Sequence, residues 1–299
     1  MTAPVLIAVI AAAALVLLLA IYVVATLLYR FALAAPKSKR IAPEEDFSFP
    51  YEKIHLTSED GIPLTAYLSE ANGSHKYALL CHGYKCIPHT ISHMADCFRA
   101  RGFSLLLPAA RGHGESEGHY IGMGIHERKD IRDYCRMLVK RDPEAQILLF
   151  GISMGAATVM MASAEDLPEN VKCVIEDCGY TSVWEELSLQ MKCQYHLPTF
   201  PFLYVAERVC RHRAGYAFRE YSPLKAVRRT RLPMLFIHGE ADTFVPFAMV
   251  HPLYENAAGE KELLTVPDAE HALAEETNPT LYWQTVDAFL ANHFTFSID

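Results

Sequence analysis

Short apolar runs alternate with longer segments of helical periodicity along most of the chain. Eight runs of four to six residues have the apolar content of strands: 53–57, 64–69, 77–81, 104–107, 147–150, 172–175, 234–237 and 262–266. Five helical stretches lie among them: 89–101, 124–141, 154–164, 246–258 and 279–292. Short buried strands that alternate with helices predict an α/β fold, with a mainly parallel sheet covered on both faces. The turn signal Glu59-Asp60-Gly61 predicts that the first two strands form an antiparallel hairpin at one edge.

The first thirty residues depart from this alternation. No charged residue occurs from Val5 to Leu28, and a helix of that length would measure about 36 Å, enough to cross the roughly 30 Å hydrocarbon core of a bilayer. A cleavable signal peptide, cut near Ala32-Leu33-Ala34, is the main rival. The run is longer than the usual signal core, however, and no Lys or Arg precedes it. We therefore predict a transmembrane anchor over residues 1–30 and a linker over 31–50.

The charges beside the anchor indicate its orientation. Only the α-amine precedes the apolar run, whereas Arg30, Lys37, Lys39 and Arg40 follow it. The positive-inside rule therefore places the remainder of the chain in the cytoplasm. Eight cysteines without the spacing of zinc or redox motifs agree with a reducing compartment.

Composition narrows the class of function. The net charge of −8 argues against a general nucleic-acid binder, although a local basic patch remains compatible with it. No metal or organic cofactor is expected from the motifs present. The expected partners are a small ester or peptide substrate and the lipid bilayer.

A serine between two glycines follows directly on the strand at 147–150. The sequence Gly151-Ile152-Ser153-Met154-Gly155 matches the pattern G-x-S-x-G, which alone arises by chance in about one chain in ten of this length. The surrounding strand, turn and helix start are the context the chemistry requires. The serine must project from the end of the sheet, at a turn where side chains on the two glycines would clash. We predict that Ser153 is a catalytic nucleophile, against the alternative of a capping serine in a plain turn.

A serine nucleophile needs a base, and the base needs an orienting acid. Asp242 lies just beyond the strand at 234–237, at the edge where ligand sites form in open α/β sheets. His271 lies in a polar loop after the last strand, so the order serine, acid, histidine is that of the strand–turn–helix serine hydrolases. We predict Ser153, Asp242 and His271 as the catalytic triad. Asp177 ranks second as the acid, and Glu240 also competes.

Two backbone amides are expected to form the oxyanion hole. The Met154 amide lies at a helix N-terminus, where N–H groups and the helix dipole favour negative charge. The Tyr84 amide belongs to the loop that follows the strand at 77–81, in which Gly83 allows close approach of the backbone. A second turn, Arg111–Ser116, is expected near the same edge, where Arg111 and His113 hold loops together.

Residues 180–222 interrupt the alternation, because they contain no convincing strand and many aromatic residues. We predict a helical cap over the active site, inserted into a catalytic domain that spans 51–299. Six apolar side chains could line an acyl site or simply pack the cap: Trp184, Leu187, Tyr195, Phe200, Phe202 and Tyr204. Eight basic residues could contact anionic headgroups or form a solvated face: Arg208, Arg211, Arg213, Arg219, Lys225, Arg228, Arg229 and Arg231.

These motifs together resemble the α/β-hydrolase superfamily, in its serine aminopeptidase and monoacylglycerol-lipase-like branch. The resemblance covers about residues 50–295 and is specific for the fold and the triad, but not for the substrate. One departure is that Ala109-Ala110 precede Arg111, where relatives often carry Asp. The residues that carry the resemblance are His82-Gly83, Arg111–Gly114, Gly151–Gly155, Gly239, Asp242, Val245-Pro246 and His271. A further stretch, Gly118–Gly124 with Glu127-Arg128, is similar to small membrane-anchored bacterial members.

The resemblance implies a serine hydrolase that cleaves carboxylic esters through an acyl-enzyme, with lipid-derived acyl esters among the candidate substrates. An aminopeptidase-like peptidase is the first alternative, and it would need a cap carboxylate for the substrate amine. The available carboxylates are Glu185, Glu186, Glu207 and Glu220. A non-catalytic, membrane-anchored binding protein on a hydrolase scaffold is the alternative of another class.

Overall fold

The computed structural model describes residues 2–35 and 46–294, and eight strands of these residues form a single sheet. The strands are Glu52–Thr57 (β1), Pro63–Ser69 (β2), Lys76–Cys81 (β3), Ser104–Pro108 (β4), Gln146–Ile152 (β5), Val171–Asp177 (β6), Met234–Gly239 (β7) and Lys261–Val266 (β8). Their order in the sheet is β1-β2-β4-β3-β5-β6-β7-β8. Strands β3 to β8 run parallel, while β1 and β2 add antiparallel pairs at one edge.

Helices cover both faces of this sheet. They are α1 (Ala3–Leu33), α2 (Ser92–Ala100), α3 (Glu127–Arg141), α4 (Met154–Ala162), α5 (Val183–Tyr195), α6 (Thr199–Ala214), α7 (Pro223–Val227), α8 (Val250–Asn256), α9 (Ala274–Thr277) and α10 (Pro279–His293). Short 3₁₀ turns precede α2 and α8. Residues on alternate sides of the strands enter two separate hydrophobic cores, as expected for a sheet buried on both faces. The predicted α/β-hydrolase fold class is therefore confirmed.

A third hydrophobic cluster lies between the cap and the N-terminal helix. Helices α5 and α6 come from the segment between β6 and β7, where the sequence predicts the cap. The last turns of α1 pack against α6, with Ala25, Tyr29 and Leu33 buried at a spacing of one helical turn. The cap is thus held between the sheet and the end of α1.

Helix α1 is long and apolar enough to cross a membrane, with a mean hydropathy of 3.1 over its most apolar window. It ends at Leu33, three residues beyond the predicted anchor of 1–30. The extension has a physical reason, because Phe31, Ala32 and Leu33 continue the apolar pattern and contact the domain. The Ile121 amide then donates to the Leu33 carbonyl at 2.7 Å.

The predicted linker over 31–50 is described only at its two ends. Residues 36–45, which include Lys37, Lys39 and Arg40 of the orientation argument, lie outside the described residues. At the far end, Phe47 and Phe49 are buried in the core beside α2. These last residues before β1 therefore pack with the domain.

Candidate active site

Ser153 occupies the sharp turn between β5 and α4. Its backbone has φ 57° and ψ −115°, a conformation that costs an L-residue energy and that aims the side chain away from the sheet end. Backbone segments approach each other very closely at this turn. A Cβ on Gly151 would lie 2.3 Å from the Gly155 backbone, and one on Gly155 would lie 2.0 Å from the Cys81 carbonyl oxygen. Only glycines permit this turn, so the spacing of the motif follows from packing.

The side chains of Ser153, His271 and Asp242 form one hydrogen-bonded chain. The His271 Nε2 atom lies 2.9 Å from Ser153 Oγ, and its Nδ1 atom lies 2.7 Å from Asp242 Oδ2. The other Asp242 oxygen accepts the amides of Phe244 and Val245 at 2.9 and 3.0 Å. The carboxylate is therefore fixed in one orientation, and the imidazole bridges it to the serine.

His238 is a buried neighbour of this hydrogen-bonded chain, and sequence reasoning missed its role. Its Nε2 atom lies 2.9 Å from the Val245 carbonyl oxygen and 3.4 Å from Asp242 Oδ2. Burial alone would raise the pKa of Asp242, but the hydrogen bonds from His238 and His271 lower it to about 2. His238 thus contacts the orienting carboxylate and not the serine. Its spacing of four residues from Asp242 was the available signal.

The competing acids lie elsewhere. Asp177 is buried at the end of β6, where it accepts a hydrogen bond from Tyr282 at 3.0 Å, and burial raises its pKa to about 6. Glu240 accepts a hydrogen bond from Thr265 at the surface. Neither carboxylate is hydrogen-bonded to His271 in the described structure, so the geometry favours Asp242 as the orienting acid.

The two predicted oxyanion donors belong to segments that pass close to Ser153. Met154 is the first residue of α4, and the first amides of a helix have no acceptor within it. The loop after β3 passes beside the serine, since a Cβ on Gly83 would lie 3.8 Å from Ser153 Cβ. Tyr84 follows in that loop, so both backbones are positioned near the hydroxyl.

Arg111 joins three segments behind this loop. Its guanidinium contacts Asp130 on α3 at 2.6 and 2.9 Å and Asp60 of the β1–β2 hairpin at 2.8 and 3.2 Å. His113 receives the Lys85 amide on Nε2 at 3.1 Å, while its Nδ1 lies 3.0 Å from the Arg111 carbonyl oxygen. The turn therefore braces the loop after β3, as the sequence predicts. Asp60 and Asp130 supply the carboxylates that pair with Arg111, which Ala109-Ala110 precede.

An apolar cavity of about 140 Å³ opens above Ser153. The cap, the loop after β3 and the last turns of α1 all contribute to it. Its α1 residues were not foreseen from the sequence. The lining includes Leu28, Tyr29, Phe31, Ala32 and Leu33 of α1, together with Tyr84, Met154, Glu186, Leu187, Tyr195 and Phe244.

The loop after β3 is bonded to the end of α1. The Tyr84 hydroxyl donates to the Ala32 carbonyl at 2.5 Å, and Lys85 Nζ donates to the Phe31 carbonyl at 3.0 Å. The last carbonyls of a helix have no partner within it. These two side chains therefore cap α1 and connect it to the loop that carries the predicted oxyanion donor.

Glu186 is the cap carboxylate that faces the cavity. Burial raises its pKa to about 7, although Gln190 donates to Oε1 at 2.8 Å, and its Oε2 atom is buried without a hydrogen-bond partner. The other three predicted carboxylates are engaged elsewhere: Glu185 with Thr181, Glu207 with Arg219, and Glu220 with the Ala217 amide.

The predicted aromatic and basic cap residues divide between several roles. Leu187 and Tyr195 line the cavity, whereas Trp184 and Phe200 both pack against Tyr204, with ring centroids 4.9 and 5.7 Å apart. The basic residues are likewise split between internal contacts and an exposed group. Arg219, Lys225, Arg228 and Arg231 bond within the domain, while Arg208, Arg211 and Arg213 are exposed on α6.

Two groups of potential metal ligands occur among the described residues. In Cys178, Asp242 and His271, the carboxylate and imidazole are already bonded to each other, and burial raises the pKa of the thiol. The second group is His93, Cys97 and Glu275, in which His93 and Trp283 both contact the carboxylate. The existing bonds of both groups account for their geometry without an ion.

Comparison with known proteins agrees with this architecture. Residues 73–209 match the model of the family described as serine aminopeptidase, S33. The solved structure of the esterase Pf2001 from Pyrococcus furiosus aligns with a TM-score of 0.72 at 23% identity, over 88% of this chain and 99% of that one. The chain has the α/β-hydrolase fold, and its residues 73–209 are similar to the S33 family. The family match and the solved structures together support a hydrolase.

Two relatives align along most of this hydrolase chain. The Bacillus subtilis protein YqkD is 29% identical over 239 residues, which are 79% of this chain and 78% of YqkD. The Saccharomyces cerevisiae protein YNL320W, named as a membrane protein, is 24% identical over 249 residues, 81% of this chain and 80% of its own length. The match to the S33 family model ends before Asp242 and His271, so it contains the serine turn alone.

Proposed function

We propose that this chain is a serine hydrolase that cleaves carboxylic esters, with Ser153 as nucleophile, His271 as base and Asp242 as orienting acid. The observation that carries the proposal is the continuous Ser153–His271–Asp242 chain of hydrogen bonds at the floor of an apolar cavity. An ester offers that cavity an acyl group and offers the serine a carbonyl carbon. The esterase neighbour in the superfamily is compatible with this chemistry.

The reaction would proceed in two halves. His271 takes the proton of the Ser153 hydroxyl while Oγ forms a bond to the carbonyl carbon, and the Met154 and Tyr84 amides stabilise the oxyanion. The carbon–oxygen bond to the leaving group then breaks, and His271 returns the proton to the departing alcohol. Water repeats the sequence and releases the acid. A lost oxyanion donor costs about 3 kcal/mol in comparable enzymes, so backbone placement matters as much as the triad.

A fluorophosphonate probe tests the nucleophile. Wild-type protein should be labelled covalently, and Ser153→Ala should not be, because the probe reacts with an activated serine. Ser163, which is buried at the end of α4, provides the matched control, and Ser163→Ala should label like wild type. Absence of labelling in the wild type would favour a non-catalytic binding protein on this scaffold.

An aminopeptidase is a second candidate, and Glu186 is the observation that favours it. A carboxylate with one free buried oxygen could hold a substrate ammonium group, which would in turn lower its pKa. A p-nitrophenyl acyl ester and the corresponding aminoacyl anilide separate the two functions. If the anilide is preferred and Glu186→Gln removes that preference alone, the peptidase assignment replaces the esterase.

We further propose that α1 spans a membrane and that the catalytic domain, residues 51–299, lies on the cytoplasmic side. The uninterrupted apolar sequence of α1 and the basic residues after it support this arrangement. Residues 180–222 would then form the cap.

A further inference from the structure

The free part of α1 matches the thickness of a bilayer core. Residues 3–20 are exposed along their whole length, which corresponds to about 27 Å of helix against a hydrocarbon core of about 30 Å. Contact with the domain begins at Ile21 and becomes full burial at Ala25. The cap therefore meets α1 at the level where the hydrocarbon would end.

The cavity above Ser153 begins close to that level. Leu28, the first α1 residue in its lining, lies about 10 Å along the helix from Ile21. The headgroup layer on each side of a bilayer is roughly 5–8 Å thick. The wall of the cavity thus starts just outside the headgroups.

The rim of the cavity is apolar and exposed. Three residues of its lining are large hydrophobic side chains with much of their surface accessible: Phe31 at 64%, Phe244 at 41% and Tyr195 at 39%. Phe31 and Tyr195 contact each other edge to face, at 6.0 Å between ring centroids. They come from α1 and the cap, so together they form an aromatic edge where the two elements meet.

The enclosed space is small. An apolar cavity of about 150 Å³ holds one benzene molecule, and the volume here is about 140 Å³. An acyl chain of more than about six carbons would therefore extend past the rim.

We propose that the substrate is a long-chain acyl ester dissolved in the bilayer, which enters the cavity sideways between α1 and the cap. The end of α1 is then both anchor and acyl-site wall. This inference rests on the proposed serine hydrolase function and adds the class of substrate and its route.

The test uses the full chain in phosphatidylcholine vesicles with two esters. p-Nitrophenyl acetate is water-soluble, and p-nitrophenyl palmitate partitions into the bilayer. Hydrolysis of the palmitate ester should follow its mole fraction in the bilayer when lipid is added at constant bulk concentration. A rate of palmitate hydrolysis that does not change as lipid is added would overturn the proposal, whatever the behaviour of any variant.

Two neighbouring substitutions test the wall. Leu28 lines the cavity, whereas Leu27 is 58% exposed and is not part of the lining. Leu28→Trp should lower kcat/KM on palmitate by about tenfold or more and on acetate by less than about threefold, because the added ring occupies acyl space. Leu27→Trp should leave both within about twofold of wild type. Equal behaviour of the two variants, or equal loss on both esters, would contradict the proposal.

Failure of the underlying function would look different. Fluorophosphonate labelling of Ser153 and hydrolysis of the acetate ester are measured in the same vesicles. If neither occurs in the wild type, the serine hydrolase assignment is wrong. If both occur and the palmitate results fail, only the membrane route is wrong.

Discussion

Asp242 is a buried carboxylate that its hydrogen-bond partners hold in one orientation. Its four contacts come from two backbone amides, His238 and His271, so both oxygens have partners and the charge is stabilised. His271 is only partly buried, with Phe244 beside its ring. A rigid acid beneath an accessible imidazole is the arrangement that proton transfer to and from Ser153 requires.

Asp242→Asn should reduce kcat on a soluble ester by roughly 10³–10⁴-fold, because an amide favours the wrong imidazole tautomer. Steady-state kinetics with p-nitrophenyl acetate measures the effect. Asp177→Asn is the matched control and should cost less than about tenfold, since Tyr282 can still donate to the amide oxygen. The reverse order of the two losses would make Asp177 the orienting acid.

Glu176 should make stability depend on pH. It is fully buried beneath the site, and burial raises its pKa from 4.5 to about 8. The folded state therefore holds a proton that the unfolded state releases above about pH 4.5, so stability falls as pH rises from about 4.5 to 8. Glu176→Gln should reduce this slope and stabilise the fold by roughly 3–5 kcal/mol at pH 8.5. Part of the slope should remain, because Asp177 and Glu186 also have raised pKa values.

Chemical unfolding of the detergent-solubilised chain at pH 5, 7 and 8.5 measures this dependence. The control is Glu169→Gln, because Glu169 is exposed in the loop before β6. If the free energy of unfolding of Glu176→Gln changes with pH as it does in the wild type, Glu176 is ionised in the folded state.

At the scale of elements, Arg111 is the junction between the β1–β2 hairpin, the turn after β4 and helix α3. It is 2% exposed and meets two carboxylates, of which Asp130 is buried and Asp60 is partly exposed. Burial alone would raise the pKa of Asp60, but the hydrogen bonds from Arg111 lower it to about 2. Burial nevertheless raises the pKa of Asp130 to about 7, although Arg111 lowers it through hydrogen bonds.

Arg111→Met should destabilise the fold by about 3–5 kcal/mol, because Asp130 is left buried without its partner. Arg136→Met on α3, the helix that carries Asp130, is the control and should cost at most about 1 kcal/mol, since its pair with Asp166 is exposed. Adding Asp130→Leu to Arg111→Met should recover part of the loss in the same unfolding assay. A small effect of Arg111→Met alone would count against this account.

Helix α1 and the loop after β3 form a second junction. Tyr84 and Lys85 cap the helix with their side chains, while the backbone of the same loop passes Ser153. The position of the proposed anchor and the shape of the proposed oxyanion hole are therefore mechanically connected.

At the scale of the whole molecule, the proposed orientation places every cysteine on the cytoplasmic side. All eight cysteines are free thiols, and Cys193 on α5 is the exposed one. A membrane-impermeant maleimide should leave the protein unmodified in right-side-out vesicles and label Cys193 once the vesicles are permeabilised. Cys193→Ser identifies the site, and labelling before permeabilisation would place the domain outside.

Much of this architecture could be read from local pattern. The predicted bounds of the eight strands and of the main helices agree with the structure to within a few residues. They agree because the spacing of apolar residues follows the pattern of buried side chains in each element. Ser153 followed from neighbours within two residues, since the turn needs Gly151 and Gly155 for steric reasons. Asp242 and His271 followed from chain order, and their catalytic roles remain predictions.

The tertiary structure decided what depends on distant contacts. Asp242 rather than Asp177 meets His271, because β7 directs its loop towards β8, and 29 residues separate the two side chains. His238 and Glu186 were visible in the sequence, but their burial beside the site was not. The end of α1 is apolar in sequence. Such a sequence predicts a membrane helix whether or not the helix also packs against the catalytic domain. Its place in the cavity wall arises from packing against α6, a contact between residues more than 160 positions apart that no local pattern encodes.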